Sequence, residues 1–285
     1  MIIHQNFDLT NYNSYRIEAR CKVAYFPENE TEIVELFKTN QNFILLGSGH
    51  NIIFSKAYYD ESFIIFNGNF NDIDVENSNG IIIAEAGATM LEISKKALEE
   101  GLSGVEVFYD IPSSLGGAVV MNAGASGEEV KDILLKVRYL DLDTFEISEI
   151  ENEAIGFEYR NSLFQQSKSM LVLKAWLQLK PLDKNLIHEK MEDMKQKRWA
   201  KQPKKYPNAG SVFKRPKGFY VGAMIDELSL KGFTIGGAKI SEKHGGFIVN
   251  FNNAKGGDVV SIIRHVQTKV KDRFNVDLEV EQRII

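Results

Sequence analysis

The sequence GLSGVEVFYDIPSSLGGAVVMNAGASG at residues 101–127 combines closely spaced glycines with a full share of apolar residues. This apolar content distinguishes it from a flexible linker and predicts an ordered loop. Gly116, Gly117 and the Asn-Ala-Gly-Ala segment at 122–125 lack bulky side chains, so the backbone there can approach a flat or anionic ligand closely. The stretch therefore predicts a surface that holds the ring or the phosphates of a cofactor.

The residues before this loop alternate between predicted helices and strands. Apolar spacing predicts a helix over 30–37. Thr89 and Glu92 form a capping box that opens a second helix, which Gly101 ends. The predicted strands in this half are 43–46, 63–66 and 81–84. The pattern indicates a mixed α/β arrangement.

After the loop, strand patterns dominate until a polar helix. The predicted strands are 136–142, 144–150, 171–179 and, at the C-terminus, 276–280. The predicted helices are 185–199, a short one near 223–228, and an amphipathic one over 259–274. Because the polar helix ends at Gln202-Pro203, we expect a domain boundary there.

The bulk properties exclude several classes of function. With 285 residues, 44% of them hydrophobic, the chain has the size of two domains and the composition of a globular protein. A formal net charge of -5 gives no overall attraction for nucleic acid or acidic membranes. No basic leader precedes an apolar run, and no run reaches the roughly 18 apolar residues of a spanning helix. We therefore expect a cytoplasmic protein that neither inserts into membranes nor binds nucleic acid.

Cysteine and histidine usage predicts neither a disulfide nor a metal site. Cys21 is the single cysteine, so it cannot form an intrachain disulfide, and we expect a small buried side chain in a reducing compartment. The five histidines show none of the spacings of known metal motifs. We predict no metal.

A basic segment at 195–205 allows two interpretations. Its charged residues are Lys195, Lys197, Arg198, Lys201, Lys204 and Lys205. They form either a solvated helix face or a positive rim that attracts a polyanionic small substrate. The sequence leaves both interpretations open.

A glycine turn of sequence Gly-Ser-Gly-His-Asn at 47–51 follows the predicted strand 43–46. Its successive N–H groups can form a nest for a pyrophosphate, although a plain tight turn explains the pattern equally well. The Rossmann fingerprint is absent because the third glycine is missing. Together with 101–127, the turn predicts a dinucleotide lying between two glycine loops.

Several polar residues have both a chemical and a structural interpretation. Arg160 can clamp a carboxylate through two parallel N–H bonds, or it can be a surface arginine that follows a strand. Ser211, close to Lys214, can deliver a proton to a carbanion, or it can be a turn serine. Glu279 and Glu281 alternate on the predicted final strand, so both should face the same side, either solvent or a substrate cleft.

Short motifs occur in order over nearly the whole chain. They are 13–17 (NSYRI), 46–51 (LGSGHN), 101–106 (GLSGVE), 111–127, 159–162 (YRNS), 208–214 (NAGSVFK), 231–232, 236–238, 241–244, 247–250 and 278–281 (LEVE). Each motif is short, but their joint order is specific. They resemble the motifs of the UDP-N-acetylenolpyruvoylglucosamine reductase family, flavoenzymes that make UDP-N-acetylmuramate for bacterial peptidoglycan.

The resemblance implies an α+β fold with two domains. A two-lobed FAD-binding module of the vanillyl-alcohol-oxidase/PCMH type would occupy 1–200, with lobes of about 1–70 and 71–200. A smaller α+β substrate domain would occupy 201–285. The implied reaction is NADPH-dependent reduction of the enolpyruvyl group of a UDP-sugar through non-covalent FAD, with no obligate protein partner. The short interval after Arg160 resembles the short form of the family, which lacks a tyrosine-bearing loop.

The motifs also imply three sets of site residues. By resemblance, Arg160 binds the substrate carboxylate, Ser211 protonates the enolate carbon, and Glu281 orients the enolic group or the serine. The implied cofactor-binding residues are Gly47, Ser48, Gly49, His50, Asn51, Ser113, Ser114, Gly117, Ala118, Asn122 and Gly124. The implied substrate-binding residues are Tyr159, Lys214 and Arg215.

Three positions depart from the pattern of that family. His50 replaces a usual serine, Ser113 a usual glycine and Arg215 a usual asparagine. These departures leave room for a diverged flavin oxidoreductase of the same fold with another substrate. A non-catalytic nucleotide-sugar-binding protein is the alternative from another class, and retention of all three implied catalytic residues argues against it.

Overall fold

The computed structural model describes residues 1–39, 42–76 and 78–285. The first elements in chain order are β1 (Ile2–Asp8), β2 (Arg20–Phe26), α1 (Glu30–Lys38), β3 (Phe43–Leu46), β4 (Ile52–Ile53), β5 (Tyr58–Ile65), β6 (Ile73–Glu76), β7 (Ile81–Glu85), α2 (Met90–Glu100), β8 (Leu102–Ser103), α3 (Leu115–Val120), β9 (Gly124–Ala125), β10 (Glu128–Glu129) and β11 (Leu134–Asp141). The remaining elements are β12 (Ile147–Glu151), α4 (Leu163–Gln166), β13 (Met170–Gln178), β14 (Lys180–Pro181), α5 (Lys184–Lys201), α6 (Val221–Glu227), β15 (Thr234–Ile235), β16 (Ala238–Ile240), β17 (Ile248–Asn250), α7 (Gly256–Phe274) and β18 (Arg283–Ile284).

The chain forms two compact units that are not linear in sequence. The first unit is Met1–His4, Val23–Ser48 and Glu61–Gln196, and the second is Gln5–Lys22, Gly49–Asp60 and Lys197–Ile285. Two N-terminal segments therefore belong with the C-terminal third of the chain. The expected linear division at 200/201 does not follow these units, and the assignment of flavin and substrate binding to 1–200 and 201–285 stays a prediction.

An antiparallel sheet of order β12-β11-β13-β7-β6 forms the centre of the first unit. Its central strands β13 and β7 pair through Ala175 and Ala84, both fully buried. Helices α2 and α3 pack against β7. The strands predicted at 136–142, 144–150 and 171–179 therefore share one sheet with strands that precede the 101–127 loop.

A second sheet has the order β1-β2-β5-β3, with β3 parallel to β5. The predicted strand 43–46 is confirmed as β3, whereas β5 begins earlier than the predicted 63–66. The predicted helix 30–37 is confirmed as α1. Asn29 caps α1 by accepting the Glu32 N–H, and the helix buries Ile33 and Leu36.

Helix α2 begins and ends as its sequence predicts. Thr89 Oγ1 accepts the Glu92 N–H at 3.1 Å, and Glu92 Oε2 accepts the Thr89 N–H at 2.9 Å. Gly101 ends the helix in the left-handed region at φ 71°. These caps determine where the 101–127 loop leaves the helix.

In the second unit, α7 covers a three-stranded antiparallel sheet of order β15-β16-β17. The predicted amphipathic helix is confirmed, and its buried residues are Gly256, Val259, Ile262, Ile263, Val266 and Val270. A parallel pair joins β18 to β4. The core of this unit therefore lies between α7 and the short sheet.

The prediction of a final strand at 276–280 is wrong. Asn275 ends α7 at φ 55°, and of the five residues that follow only Val280 makes a bridge, to Phe213. The facing segment 211–214 contributes isolated hydrogen bonds, such as Lys214 N–H to Glu279 O at 2.9 Å, instead of a continuous ladder. The extended residues therefore run beside that segment without forming a regular strand, and the strand near the C-terminus is the short β18.

Two further predictions concern α5 and Cys21. Helix α5 matches the predicted polar helix 185–199. Cys21 is fully buried, as expected, and burial raises the pKa of its thiol to about 11.

In the described parts of the chain, no helix combines the length and the apolar character needed to cross a bilayer.

Candidate active site

Within the first unit, the start of the 47–51 turn is bonded to the 101–127 loop. Ser48 Oγ accepts the Ser114 N–H at 2.9 Å. A Cβ atom at Gly47 would collide with Ser114 Oγ, so a side chain there would displace that hydroxyl. Ser114 also caps α3, where its Oγ accepts the Gly117 N–H at 3.4 Å. The structure thus brings together four of the predicted cofactor-binding residues.

Ser113 carries a hydroxyl to which no residue in the described parts of the chain bonds. Its backbone is bonded on both sides, from its N–H to Ile111 O at 2.9 Å and from Met90 N–H to its carbonyl at 2.8 Å. Its Oγ is buried and has no hydrogen-bond partner among the described residues. Burying an unbonded hydroxyl is costly, so this atom is suited to bind a polar atom of a ligand.

The rest of the turn belongs to the second unit, where it packs against residues 12–14. Gly49 has φ 69°, and a Cβ atom there would collide with the carbonyl of Tyr12. Ser14 N–H donates to Gly49 O at 3.1 Å. Ser14 Oγ is likewise buried, and no described residue bonds to it. A second hydroxyl suited to a ligand therefore lies beside the turn, whose next residue is the half-buried His50.

Asn51 uses its side chain to hold the C-terminal segment. Its Nδ2 donates to Glu281 O at 3.1 Å, and its carbonyl accepts the Arg283 N–H at 2.9 Å. This links a predicted cofactor residue to a predicted catalytic one through the backbone.

Three other predicted cofactor-binding residues stabilise the conformation of the 101–127 loop through burial, close backbone packing and hydrogen bonds. Ala118 is buried in the core, and a Cβ atom at Gly124 would collide with the carbonyl of Glu128. Asn122 is fully buried and its amide is satisfied: Nδ2 donates to Glu129 Oε2 and Glu158 O, both at 3.0 Å, and Oδ1 accepts the Lys131 N–H. Their contact with a cofactor stays a prediction.

Arg160 is held against the same loop. Its Nη2 donates to Gly124 O at 2.7 Å and its Nη1 to Asn122 O at 3.2 Å. Glu129 Oε1 lies 3.9 Å from Nη1, and the guanidinium lies over the ring of the half-exposed Tyr159. Arg160 has φ 54°, a conformation that costs a non-glycine residue free energy. Backbone carbonyls and a carboxylate therefore fix both the position and the orientation of this cation.

In the second unit, Ser211 and Glu281 are connected through Val212. Ser211 is exposed and forms a bridge with Phe247, and Val212 is buried. Val212 N–H donates to Gly246 O at 3.0 Å, and Glu281 N–H donates to Val212 O at 2.8 Å. The predicted proton donor thus lies on a segment whose backbone is bonded on both sides.

The predicted substrate cations already have partners. Lys214 Nζ lies 2.6 Å from Glu279 Oε1 in an ion pair. The guanidinium of Arg215 stacks 3.7 Å from the centroid of the exposed Tyr220 ring. A diphosphate bound here would compete with or join these contacts.

The basic segment 195–205 makes several local contacts. Lys195 Nζ pairs with Glu192 at 3.0 Å and also lies over the Tyr109 ring. Lys204 lies over the Trp199 ring. The described residues include no cluster of three or more His, Cys, Asp or Glu side chains arranged to hold a metal ion.

Sequence reasoning missed Glu129 and Gln282. Glu129 accepts from Asn122 and lies beside Arg160, and Gln282 is a buried amide next to Glu281. The sequence signal for Gln282 is its closeness to a motif, because its partners lie 71 to 267 positions away. The signal for Glu129 is its position seven residues after Asn122.

Comparison with known proteins identifies the family. Residues 21–146 match the family model of an FAD binding domain, and residues 202–285 match the C-terminal domain of UDP-N-acetylenolpyruvoylglucosamine reductase. The reductase of Francisella tularensis is 38% identical over 97% of this chain and 98% of its own length, and that of Caldanaerobacter subterraneus is 39% identical over 99% and 93%. The crystal structure of the reductase from Thermus caldophilus superposes with a TM-score of 0.83 at 30% identity, covering 99% of this chain and 98% of that one.

The chain belongs to the UDP-N-acetylenolpyruvoylglucosamine reductase family. The expected α+β fold, with an FAD binding domain followed by the characteristic C-terminal domain of these reductases, is confirmed. The protein is therefore an FAD-dependent oxidoreductase. The first unit fits such a cofactor, because the buried hydroxyl of Ser113 offers a hydrogen bond that no described protein atom uses.

Proposed function

We propose that the protein reduces the enolpyruvyl group of UDP-N-acetylenolpyruvoylglucosamine to the lactyl group of UDP-N-acetylmuramate, a peptidoglycan precursor. NADPH is the hydride source, and the cytoplasm is the compartment. The observation that carries the proposal is the presence of Arg160, Ser211 and Glu281 in a chain that is similar to these reductases over nearly its whole length.

The reaction needs charge stabilisation followed by a proton. FAD, when bound, supplies the hydride that it has taken from NADPH. Hydride addition at the methylene carbon of the enol ether converts it to a methyl group and leaves negative charge on the neighbouring carbon and its carboxylate. A proton added at that carbon completes the lactyl group. The protein must therefore provide a cation for the carboxylate and a proton donor for the carbon.

Arg160 is our choice for the cation. Two backbone carbonyls and Glu129 orient its guanidinium, which supports binding of a carboxylate in one defined geometry. Parallel N–H bonds from a guanidinium to a carboxylate are charge-assisted, and they strengthen as charge develops.

Ser211 is our choice for the proton donor. The side chain of Ser211 is exposed, which supports access of the substrate to its hydroxyl. The backbone of the neighbouring Val212 is hydrogen-bonded through both its N–H and its carbonyl, which supports a fixed position for the donor. In the proposal the Ser211 O–H bond breaks as the new C–H bond forms, and Glu281 orients either the serine or the enolic group. Tyr159, Lys214 and Arg215 remain our candidates for binding the sugar nucleotide.

Anaerobic stopped-flow absorbance tests the function. We expect NADPH to bleach the flavin, and the enolpyruvyl substrate to restore its absorbance while UDP-N-acetylmuramate forms. Failure of the enolpyruvyl substrate to restore the absorbance would contradict the proposed substrate.

A substitution then tests the proton donor. Ser211→Ala should leave bleaching by NADPH unchanged and slow the substrate-dependent step by about 10²- to 10⁴-fold, because only that step needs the proton. Ser261→Ala, on the exposed face of α7, is the matched control and should resemble the wild type. Equal loss of both steps in Ser211→Ala would exclude the assigned role.

A further inference from the structure

A buried hydrogen bond joins Tyr15 to Gln282. The Tyr15 hydroxyl donates to Gln282 Oε1 at 2.9 Å, and neither residue is more than 3% exposed. Polar side chains are rarely buried this deeply unless their bonds are satisfied. The pair therefore needs a structural explanation.

The amide of Gln282 lies against the backbone immediately before and at Ser211. Its Nε2 donates to Ala209 O at 2.9 Å and to Gly210 O and Ser211 O at 3.3 Å each. Carbonyls can only accept, so the nitrogen must face them and the amide oxygen must face the donating hydroxyl of Tyr15. The tyrosine thus determines the orientation of the amide.

Gln282 also follows Glu281 directly in the chain. The Glu281 N–H donates to Val212 O, so the 281–282 dipeptide bonds to the backbone on both sides of the Ser211 side chain. A displacement of this dipeptide would move the proposed proton donor and Glu281 together.

Tyr15 is itself firmly held. Its carbonyl accepts from Asn250 Nδ2 at 2.8 Å, and Asn13 bonds to the carbonyls of Leu9 and Ile17. Burial raises the pKa of the Tyr15 hydroxyl, so it remains a hydrogen-bond donor at any working pH.

We propose that Tyr15 and Gln282 are positioning residues that hold Ser211 and Glu281 in the geometry needed for proton transfer to the substrate. This inference rests on the proposed function. In this role the pair acts through the backbone of 209–212, to which the Gln282 amide bonds.

The first test removes one hydroxyl. Tyr15→Phe should slow the substrate-dependent step about tenfold and leave flavin bleaching by NADPH unchanged, because small displacements of a reacting group are costly. Tyr59→Phe is the matched control: Tyr59 is also buried in this unit, and its hydroxyl donates to Ile285 O instead. The solvent deuterium isotope effect on the substrate-dependent step should rise in Tyr15→Phe alone, since proton transfer becomes slower.

Gln282→Leu tests whether the two residues act as a unit. We expect a loss of about 100-fold in the substrate-dependent step, and no further loss in the Tyr15→Phe/Gln282→Leu double variant, because the hydroxyl acts through the amide. If Gln282→Leu does not fold, hydrogen exchange of the Val212 amide provides a readout independent of activity. It should be faster in Tyr15→Phe than in Tyr59→Phe.

The outcomes separate this inference from the proposed function. A wild-type protein without substrate-dependent turnover would refute the function itself. If the wild type and Ser211→Ala behave as proposed but Tyr15→Phe matches Tyr59→Phe in both steps, in isotope effect and in exchange, the positioning role is overturned and the function stands.

Discussion

At the scale of single residues, the predicted ligand-binding side chains are largely engaged with the protein. Asn51 holds the carbonyl of Glu281, the Asn122 amide is fully bonded, and Lys214 is paired with Glu279. The family motifs predict which positions form the ligand site. At several of these positions, however, the side chain stabilises the protein backbone that a ligand would contact. Ser14 and Ser113 differ, because each buries a hydroxyl to which no described residue bonds.

Gly49 is the residue at which backbone geometry is most demanding in the 47–51 turn. Gly49→Ala should lower the free energy of unfolding by about 3 kcal/mol, because φ 69° disfavours a side chain and the new Cβ would collide with the Tyr12 carbonyl. Chemical denaturation measures this change.

Gly218→Ala is the control for Gly49→Ala. Gly218 has φ 80°, but a Cβ atom there meets no described atom within 4 Å. Gly218→Ala should therefore lower the free energy of unfolding by only about 1 kcal/mol, the cost of placing a side chain at positive φ. Equal losses in the two variants would show that the collision with Tyr12 is not significant.

At the scale of elements, the tight turn at 241–247 supports the segment that carries Ser211. The turn closes through Ser241 N–H to Phe247 O at 2.9 Å and through Gly246 N–H to His244 Nδ1 at 3.1 Å. Its Gly246 carbonyl then accepts the Val212 N–H. The histidine can serve as acceptor only while its ring is neutral.

This requirement predicts a pH dependence. Burial lowers the pKa of His244 and Lys231 lowers it further, whereas a hydrogen bond to its own backbone and the charge of Asp226 oppose them; the net shift is downward. The lowered pKa means that the turn contributes its full stability above pH about 6.5, the ordinary histidine value, and loses it as the pH falls through the folded-state pKa. His244→Asn keeps an acceptor near the Gly246 N–H but does not titrate.

Thermal denaturation between pH 5 and pH 8 measures the effect. The melting temperature of the wild type should fall relative to that of His244→Asn below pH 6.5, and the difference between them should be constant above pH 7. Parallel curves over the whole range would contradict a role for His244 as the titrating acceptor.

At the scale of the whole molecule, FAD binding should add to stability. A ligand present at 100 times its dissociation constant stabilises the folded state by about 2.7 kcal/mol, which corresponds to a rise of about 5 °C or more in melting temperature. Calorimetry of flavin-free protein with and without FAD measures the rise. Riboflavin, which lacks the pyrophosphate, should stabilise much less if the 47–51 turn binds phosphate. Equal effects of the two compounds would contradict that role for the turn.

The sequence predicted those elements whose signals are contained in consecutive residues. The capping box of α2, its terminal Gly101 and the apolar stripe of α7 all follow from side chains within a few turns of each other. The strand predicted at 276–280 failed because alternation alone cannot show whether a neighbouring segment provides a continuous ladder. The proximity of Ser48 to Ser114 was expected in outline, from two glycine-rich segments, but not their hydrogen bond.

The sequence by itself determined the family, the order of the main helices and the residues proposed for chemistry, since these depend on local patterns and short motifs. Tertiary structure alone decided how those residues are held. Gln282 bonds to Tyr15 across 267 positions and to Ala209 across 73, and Arg160 is oriented by carbonyls 36 and 38 positions away. Such bonds depend on where the folded backbone brings distant carbonyls and hydroxyls together, which no local pattern specifies.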